Sequence, residues 1–323
     1  MSSFKYNHVY INDFETIAGP EEEKGNITYQ NTIQDYYYNE EKLEDAEIKM
    51  QNLCLTNVTK RNRLTNKIQL LVGGDLMDQI AITSYNLANR NIPFMGIYNG
   101  CSTFNESLII LSNFIESNAI KNGIAITSSH NLNAERQFRY PVEYGIPKKQ
   151  YTTFTTTGAA SAYLSSKPSR IKIESSTIGT VIDYGIKDSS NMGAVMAPSA
   201  ANTLITHLKE MNRNANDYDI IVTGDLGKLG SELFQKILKE DYNLTLNNYL
   251  DASSILYKEE QETFEGGSGP VVIPLVFFNY ILKNKEYKKI LLLATGSLHN
   301  PLMVNLKKSI PSITHAVSIE VIE

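Results

Sequence analysis

The chain has 323 residues, enough for two domains or for one large unit built twice. With 42% apolar and 20% charged residues it can bury a sizeable core, which excludes wholesale disorder, and a net charge of -5 excludes a general nucleic-acid binder with a basic face. Two cysteines, Cys54 and Cys101, are too few for a disulfide framework and suit a reducing compartment. Residues 1–8 contain no apolar run, so they do not read as a signal peptide. Apolar stretches such as 271–278 fall far short of the ~20 residues a membrane helix needs, and the expectation is a soluble chain. The Asn-x-Ser/Thr sequons at Asn26, Asn57, Asn105 and Asn243 then read as accidental.

In chain order, residues 21–39 are polar and rich in tyrosine and predict a long surface loop. Residues 68–76 read IQLLVGGDL, a β-branched run ending in Gly-Asp-Leu ahead of a helical pattern. A strand over 93–98 leads into Asn99-Gly100-Cys101-Ser102-Thr103, which opens an apolar helix. Residues 124–131, IAITSSHN, form a buried strand ending in small residues and His130-Asn131. The segment 151–173 predicts two long strands meeting at Lys167-Pro168. The earlier pattern then recurs. Residues 219–226 read DIIVTGDL, 267–280 read GSGPVVIPLVFFNY, and 291–300 read LLLATGSLHN. A last strand follows over 314–322. Three matches in the same order indicate one α/β unit written twice, with the boundary near Pro168 separating 1–168 from 169–323.

Cys101 follows a strand and a glycine and heads a helix. The free N–H groups and the dipole there favour a thiolate, which is a nucleophile's environment. The other reading is a small cysteine packing a strand-to-helix turn. Cys54 lies on an amphipathic helical stretch and reads as core filler. A duplicated strand–helix unit with cysteine at the head of the first buried helix resembles the thiolase-like fold of condensing enzymes. The resemblance implies a five-layer αβαβα architecture with mixed sheets and buried central helices. The second half departs from that family. Where condensing enzymes carry a catalytic histidine this chain has Gly224 or Asp225, and where they carry an asparagine it has Gly267. An aspartate repels a developing oxyanion and glycine has no side-chain donor. Removing one oxyanion donor typically costs about 10²–10³ in rate, so the expectation is a scaffold that keeps Cys101 without acyl chemistry.

A closer likeness spans nearly the whole chain. It rests on 17–25 (IAGPEEEKG), 93–103 (PFMGIYNGCST), 127–131 (TSSHN), 134–145 (AERQFRYPVEYG), 192–201 (MGAVMAPSAA), 222–231 (VTGDLGKLGS) and 310–315 (IPSITH). These runs resemble the stage V sporulation protein AD family. Where that family commonly reads Gly-Ala-Cys-Ser-Thr, this chain has Asn99-Gly100-Cys101-Ser102-Thr103, and Gly269-Pro270 and Leu298-His299-Asn300 are less typical. The resemblance implies binding of pyridine-2,6-dicarboxylate (dipicolinate), alone or with calcium. It also implies a role in moving that ligand across the inner spore membrane, with membrane proteins of the same operon as partners. The chain would be peripheral at that membrane, and thiolase-like proteins usually pair as homodimers. No organic cofactor and no nucleic-acid partner are implied.

A planar dianion needs N–H donors, hydroxyls or cations and a flat apolar wall. The expected ligand-binding set is Cys101, Ser102, Asp75, Ser129, His130, Asp225, Gly267, Ser268 and Gly296. Asp75 and Asp225 read either as helix N-caps or as oxygen ligands for calcium. His130 and His299 read either as ligands or as hydrogen-bonded core residues. Arg136 and Arg139 read either as a carboxylate grip or as partners of Glu135 or Glu143. His207 and His315 lack a motif partner, His8 is uninformative, and no H-E-x-x-H, paired C-x-x-C or P-loop spacing occurs. Two other functions remain open at this point: an acyl transferase using Cys101 with His130 or His299, and a purely structural subunit of a membrane complex.

Overall fold

The computed structural model describes residues 2–64, 67–138 and 149–322; Arg139 and Glu143 lie outside them. The first half runs β1 (Ser3–Lys5), β2 (Tyr10–Ala18), α1 (Pro20–Glu23), α2 (Leu43–Arg61), β3 (Leu71–Asp75), α3 (Ala81–Leu87), β4 (Phe94–Gly96), α4 (Thr103–Glu116), β5 (Asn122–Ser129), α5 (Asn131–Phe138), β6 (Phe154–Thr155) and β7 (Gly158–Ser165). The second runs β8 (Ile171–Thr177), α6 (Met192–Met211), β9 (Ile220–Thr223), α7 (Gly227–Tyr242), β10 (Tyr249–Asp251), α8 (Ser253–Leu256), β11 (Gly267–Ser268), α9 (Val272–Asn279), β12 (Lys289–Ser297), α10 (Pro301–Asn305) and β13 (Ser312–Val321).

Among the described residues, eleven strands form one sheet in the order β10-β9-β12-β13-β8-β2-β7-β5-β3-β4, with β1 added on β8. Read inward from either edge the order is the same: β4-β3-β5-β7-β2 and β10-β9-β12-β13-β8. In each copy the three outer strands are parallel and the two inner ones antiparallel. The repeat read from the sequence is thus a repeat of topology. The copies join edge to edge through Tyr10–Lys172 and Ile11–Ile171. The strands on either side of Pro168 do not form a hairpin. β7 pairs with β5 and β2, whereas β8 pairs with β13, so β2 lies between them.

Layering follows from where the apolar residues fall. α2 buries Leu43, Ala46, Met50, Cys54, Leu55 and Val58 on one face, a helical spacing that covers the outside of the first copy. α6 and α7 cover the second copy through Met196, Ala200, Leu204, Phe234 and Leu238. Between the copies lies one cluster that joins Phe104, Leu108 and Leu111 of α4 to Val272, Val276 and Phe277 of α9, with strand residues of both halves around them. All eight residues of α9 are buried, as a helix that is apolar all round must be. Phe278 stacks on Phe14 of β2 at 4.1 Å and meets Phe104 edge-on at 6.1 Å, bolting the second copy to the first.

Residues 21–39 differ from the expected surface loop. Glu22, Ile27 and Ile33 are buried, and the Ile33 N–H donates to Ala18 O while the Ala18 N–H donates to Asn31 O, which ties the segment to the end of β2. The tyrosines and charges that suggested exposure flank three anchor points in the interior.

Candidate ligand-binding site

A cavity of about 200 Å³ opens beside Cys101. Leu76, Tyr98, Phe138, Met192 and Leu298 give it apolar and flat aromatic wall, and Thr155, Ser268, Ser297, His299 and Asn300 add polar atoms. Its residues come from both copies and from the short β6–β11 ribbon that lies off the main sheet.

Cys101 sits in a one-turn 3-10 segment, Gly100–Ser102, that runs into α4. Gly100 has φ 53°, the left-handed conformation that glycine tolerates, and this turns the chain out of the strand and into the helix. The turn is pressed against β12. A Cβ on Gly296 would fall 2.7 Å from the Asn99 carbonyl oxygen and 2.9 Å from Ser102 Oγ, so only glycine allows this approach. Ser102 is buried and donates to Asn99 O at 2.8 Å; it closes the turn rather than lining the cavity.

The Cys101 sulfur lies 3.8 Å from Ser268 Oγ. Behind them Asp225 accepts from Ser268 Oγ at 3.2 Å, from the Gly269 N–H at 3.2 Å and from Thr295 Oγ1 at 2.6 Å. Burial pushes the Asp225 carboxyl up to about 6, partly offset by its hydrogen bonds from Cys101 and Thr295. Burial also pushes the Cys101 thiol well above its ordinary value, and the Asp225 charge adds to this. This runs against the thiolate that a helix terminus favours. Desolvation and a neighbouring carboxylate outweigh the helix end, and Cys101 is held as a thiol.

The two aspartates that the repeat pairs have parted ways. Asp75 accepts from the Met77 N–H at 3.0 Å, the Thr83 N–H at 2.8 Å and Thr83 Oγ1 at 2.7 Å, a structural cap away from the cavity. In the second copy that duty falls to Asp251, which receives the N–H groups of Leu226 and Gly227 at 3.1 and 3.3 Å at the head of α7. Asp225 is thereby released to a place just behind the cavity wall, against Ser268. Ser129 is buried and donates to Thr156 O at 2.7 Å. Gly267 lies in the ribbon opposite Phe154. His130 is buried against the Tyr36 ring, with Nε2 2.8 Å from Tyr36 O, and burial lowers its pKa. Arg136 pairs with Glu44 and bonds Asn133 Oδ1 at 3.1 Å, a surface bridge to α2.

Of the expected set, the fold therefore gathers Cys101, Ser268 and Asp225, supports their turn with Ser102 and Gly296, and carries Gly267 in the adjoining ribbon. It sets Asp75, Ser129 and His130 apart in the scaffold. Sequence reasoning missed Tyr98, Phe138 and Met192 as wall. It also missed His315, whose Nε2 lies 3.0 Å from the Asn99 carboxamide and whose Nδ1 accepts from the Gly179 N–H at 3.1 Å. Burial lowers His315 to about 4, so it buttresses the cysteine turn as a neutral ring. Among the described residues, no group of three or more His, Cys, Asp or Glu is placed to hold a metal ion.

Solved structures define the class. An OleA variant from Xanthomonas campestris matches with TM-score 0.64 at 12% identity, covering 98% of this chain and 99% of its own. OleA with cerulenin bound matches at 0.63 and 12%, covering 97% and 100%. At such identity the likeness speaks for the fold, which is thiolase-like. The family model for stage V sporulation protein AD matches residues 2–320. Stage V sporulation protein AD of Bacillus subtilis (strain 168) is 37% identical over 318 residues, 97% of this chain and 94% of that protein. The chain belongs to the stage V sporulation protein AD family.

Proposed function

We propose that this protein binds dipicolinate without transforming it. In this reading it serves uptake of that ligand into the developing spore, and its release in germination, beside membrane proteins of the same operon. It is then a degenerate condensing-enzyme scaffold, peripheral at the forespore inner membrane. Among the described residues no helix is long and apolar enough to cross a membrane, so the crossing itself falls to the partners. A homodimer suits β4, an edge strand whose Met95 is exposed.

The observation that carries the reading is the company of Cys101. In place of the histidine and asparagine that drive carbon–carbon bond formation, its neighbours are Ser268 and Asp225, and burial together with the Asp225 carboxylate holds the sulfur as a thiol. The described wall contains no lysine or arginine, and Asp225 lies just behind it. A free dianion is disfavoured there, whereas the neutral calcium chelate is not. We therefore assign calcium as part of the cargo, arriving with the ligand.

Calorimetry with dipicolinate tests this. Heat should appear at submillimolar ligand and the affinity should rise when calcium is added. No heat at millimolar ligand in either condition removes the binding reading. One observation favours a second reading: His299 shares the cavity with Cys101, as an acyl transferase would require. Intact mass after incubation with acyl-CoA separates the two, because an acyl adduct on Cys101 supports the enzyme and an unchanged mass the binding protein.

A further inference from the structure

The run IAGPEEEKG at 17–25 takes no part in the cavity wall, yet it places a carboxylate in the interior. Glu22 is fully buried. Its Oε1 accepts from the Tyr257 hydroxyl and from the Thr157 N–H at 3.1 Å. Tyr257 is buried too, and its hydroxyl lies 3.1 Å from Thr156 Oγ1. Thr156 and Thr157 directly follow β6. The Thr156 N–H donates to Ser268 O at 2.8 Å and the Phe154 N–H to Gly266 O at 2.9 Å, which closes the β6–β11 ribbon. That ribbon presents Thr155 and Ser268 to the cavity. A continuous path of hydrogen bonds thus links Glu22 to the wall that touches Cys101.

Glu22 is poorly compensated. Among the described residues, its Oε2 and the Tyr29 hydroxyl are buried without hydrogen-bond partners. The titratable groups that bear on it are Glu21, which is paired to Lys24 at the surface, and the tyrosines Tyr29, Tyr36 and Tyr257. None of these brings a positive charge to its side. A buried carboxylate in such company favours its neutral form while the fold is closed, and its charged form only when water reaches it. Burial raises Glu22 to about 7.

Resting on the dipicolinate reading, the geometry points to Glu22 as a positioning residue that gates the cavity by its protonation, acting through Tyr257 on the β6–β11 ribbon. The closed ribbon binds a proton that the open one releases. The closed state, and with it ligand binding, is therefore favoured in acid, and opening increases by up to about tenfold per pH unit from the ordinary carboxyl value of 4.5 until about 7, where it levels off. Asp225, which touches Ser268, titrates lower, and Glu47, which reaches Ser128 at 2.9 Å, titrates higher, so each needs its own control.

Hydrogen exchange of the Phe154 and Thr156 amides, corrected for intrinsic rates, reads the ribbon without any ligand. Dipicolinate calorimetry reads the cavity. In the wild type, amide protection and affinity should each fall by up to about tenfold from about pH 5.5 to about pH 6.5 and level off above about 7. In Glu22→Gln both should stay level, whereas Asp225→Asn and Glu47→Gln should keep the fall. Tyr257→Phe removes a donor to the carboxylate and should move the midpoint to higher pH. This second variant decides the matter if Glu22→Gln does not fold. Unchanged pH dependence of protection in Glu22→Gln, or an unmoved midpoint in Tyr257→Phe, overturns the proposal. Loss of pH dependence in Glu22→Gln with no dipicolinate heat in any protein overturns the ligand and leaves the gate standing.

Discussion

At the scale of residues, Cys101 shows how neighbours reverse a local rule. A helix end lowers a thiol's pKa by a modest electrostatic effect, whereas burial beside a carboxylate raises it further than the helix end lowers it. Asp225→Asn removes the charge and should raise the rate of iodoacetamide labelling of Cys101 at pH 7 on the order of tenfold per pKa unit regained. Unchanged or slower labelling, read by intact mass, would show that Asp225 does not restrain the thiol. Glu47 offers a second test. It accepts from Ser128 Oγ at 2.9 Å and Asn133 Nδ2 at 2.8 Å, yet burial first and the Asp75 charge next raise it from 4.5 to about 8. The folded state holds this proton where the unfolded state has released it. Its contribution is therefore full below pH 4.5 and is lost as pH rises toward 8. His207 and His315, lowered by burial to about 4, oppose it at acid pH. The difference between variant and wild type isolates the Glu47 effect: Glu47→Gln should flatten the loss of melting temperature between pH 6 and 8 by several degrees, as read by calorimetric melting.

At the scale of elements, α9 is the piece on which most packing converges. Phe277 is fully buried between the copies, and Phe277→Ala should cost about 3–5 kcal/mol, visible as a lower urea midpoint with an unchanged slope. Much of this was legible beforehand. The apolar run at 271–278 announced a buried helix, Gly-Asp-Leu followed by a helical pattern announced the paired strands, and the cysteine turn announced the site. What stayed hidden depends on distance in space. Nothing near Asp225 in the sequence says that Asp251, farther along the chain, has taken the capping role. Nothing near Asn99 announces His315 from the last strand. The segment 21–39 misled because its polar residues outnumber the three side chains that anchor it. Tyr98 and Phe138 lie in separate runs of the sequence, 93–103 and 134–145, and only the fold turns them toward one space.

At the scale of the whole molecule, the central cluster belongs to neither copy alone. Phe104 and Leu108 on one side and Val276 and Phe277 on the other share one buried cluster built from both copies. Residues 1–168 expressed alone should therefore lack fixed tertiary packing, giving far-UV circular dichroism without a near-UV signal. The intact chain should melt in a single transition. Two separate transitions, or an independently folded 1–168, would show that the copies are autonomous domains.

The division of labour between Asp251 and Asp225 has a further consequence. In the first copy the aspartate that ends its strand is mortgaged to the architecture, since altering it unseats α3. In the second copy a different carboxylate holds α7, so a change at position 225 leaves that helix capped and falls instead on the donors Ser268, Gly269 and Thr295. The repeat thus leaves one acidic position free of that capping duty, just behind the cavity wall. An edit at that position would therefore alter the chemistry beside Cys101 and Ser268 while α7 stays held in place.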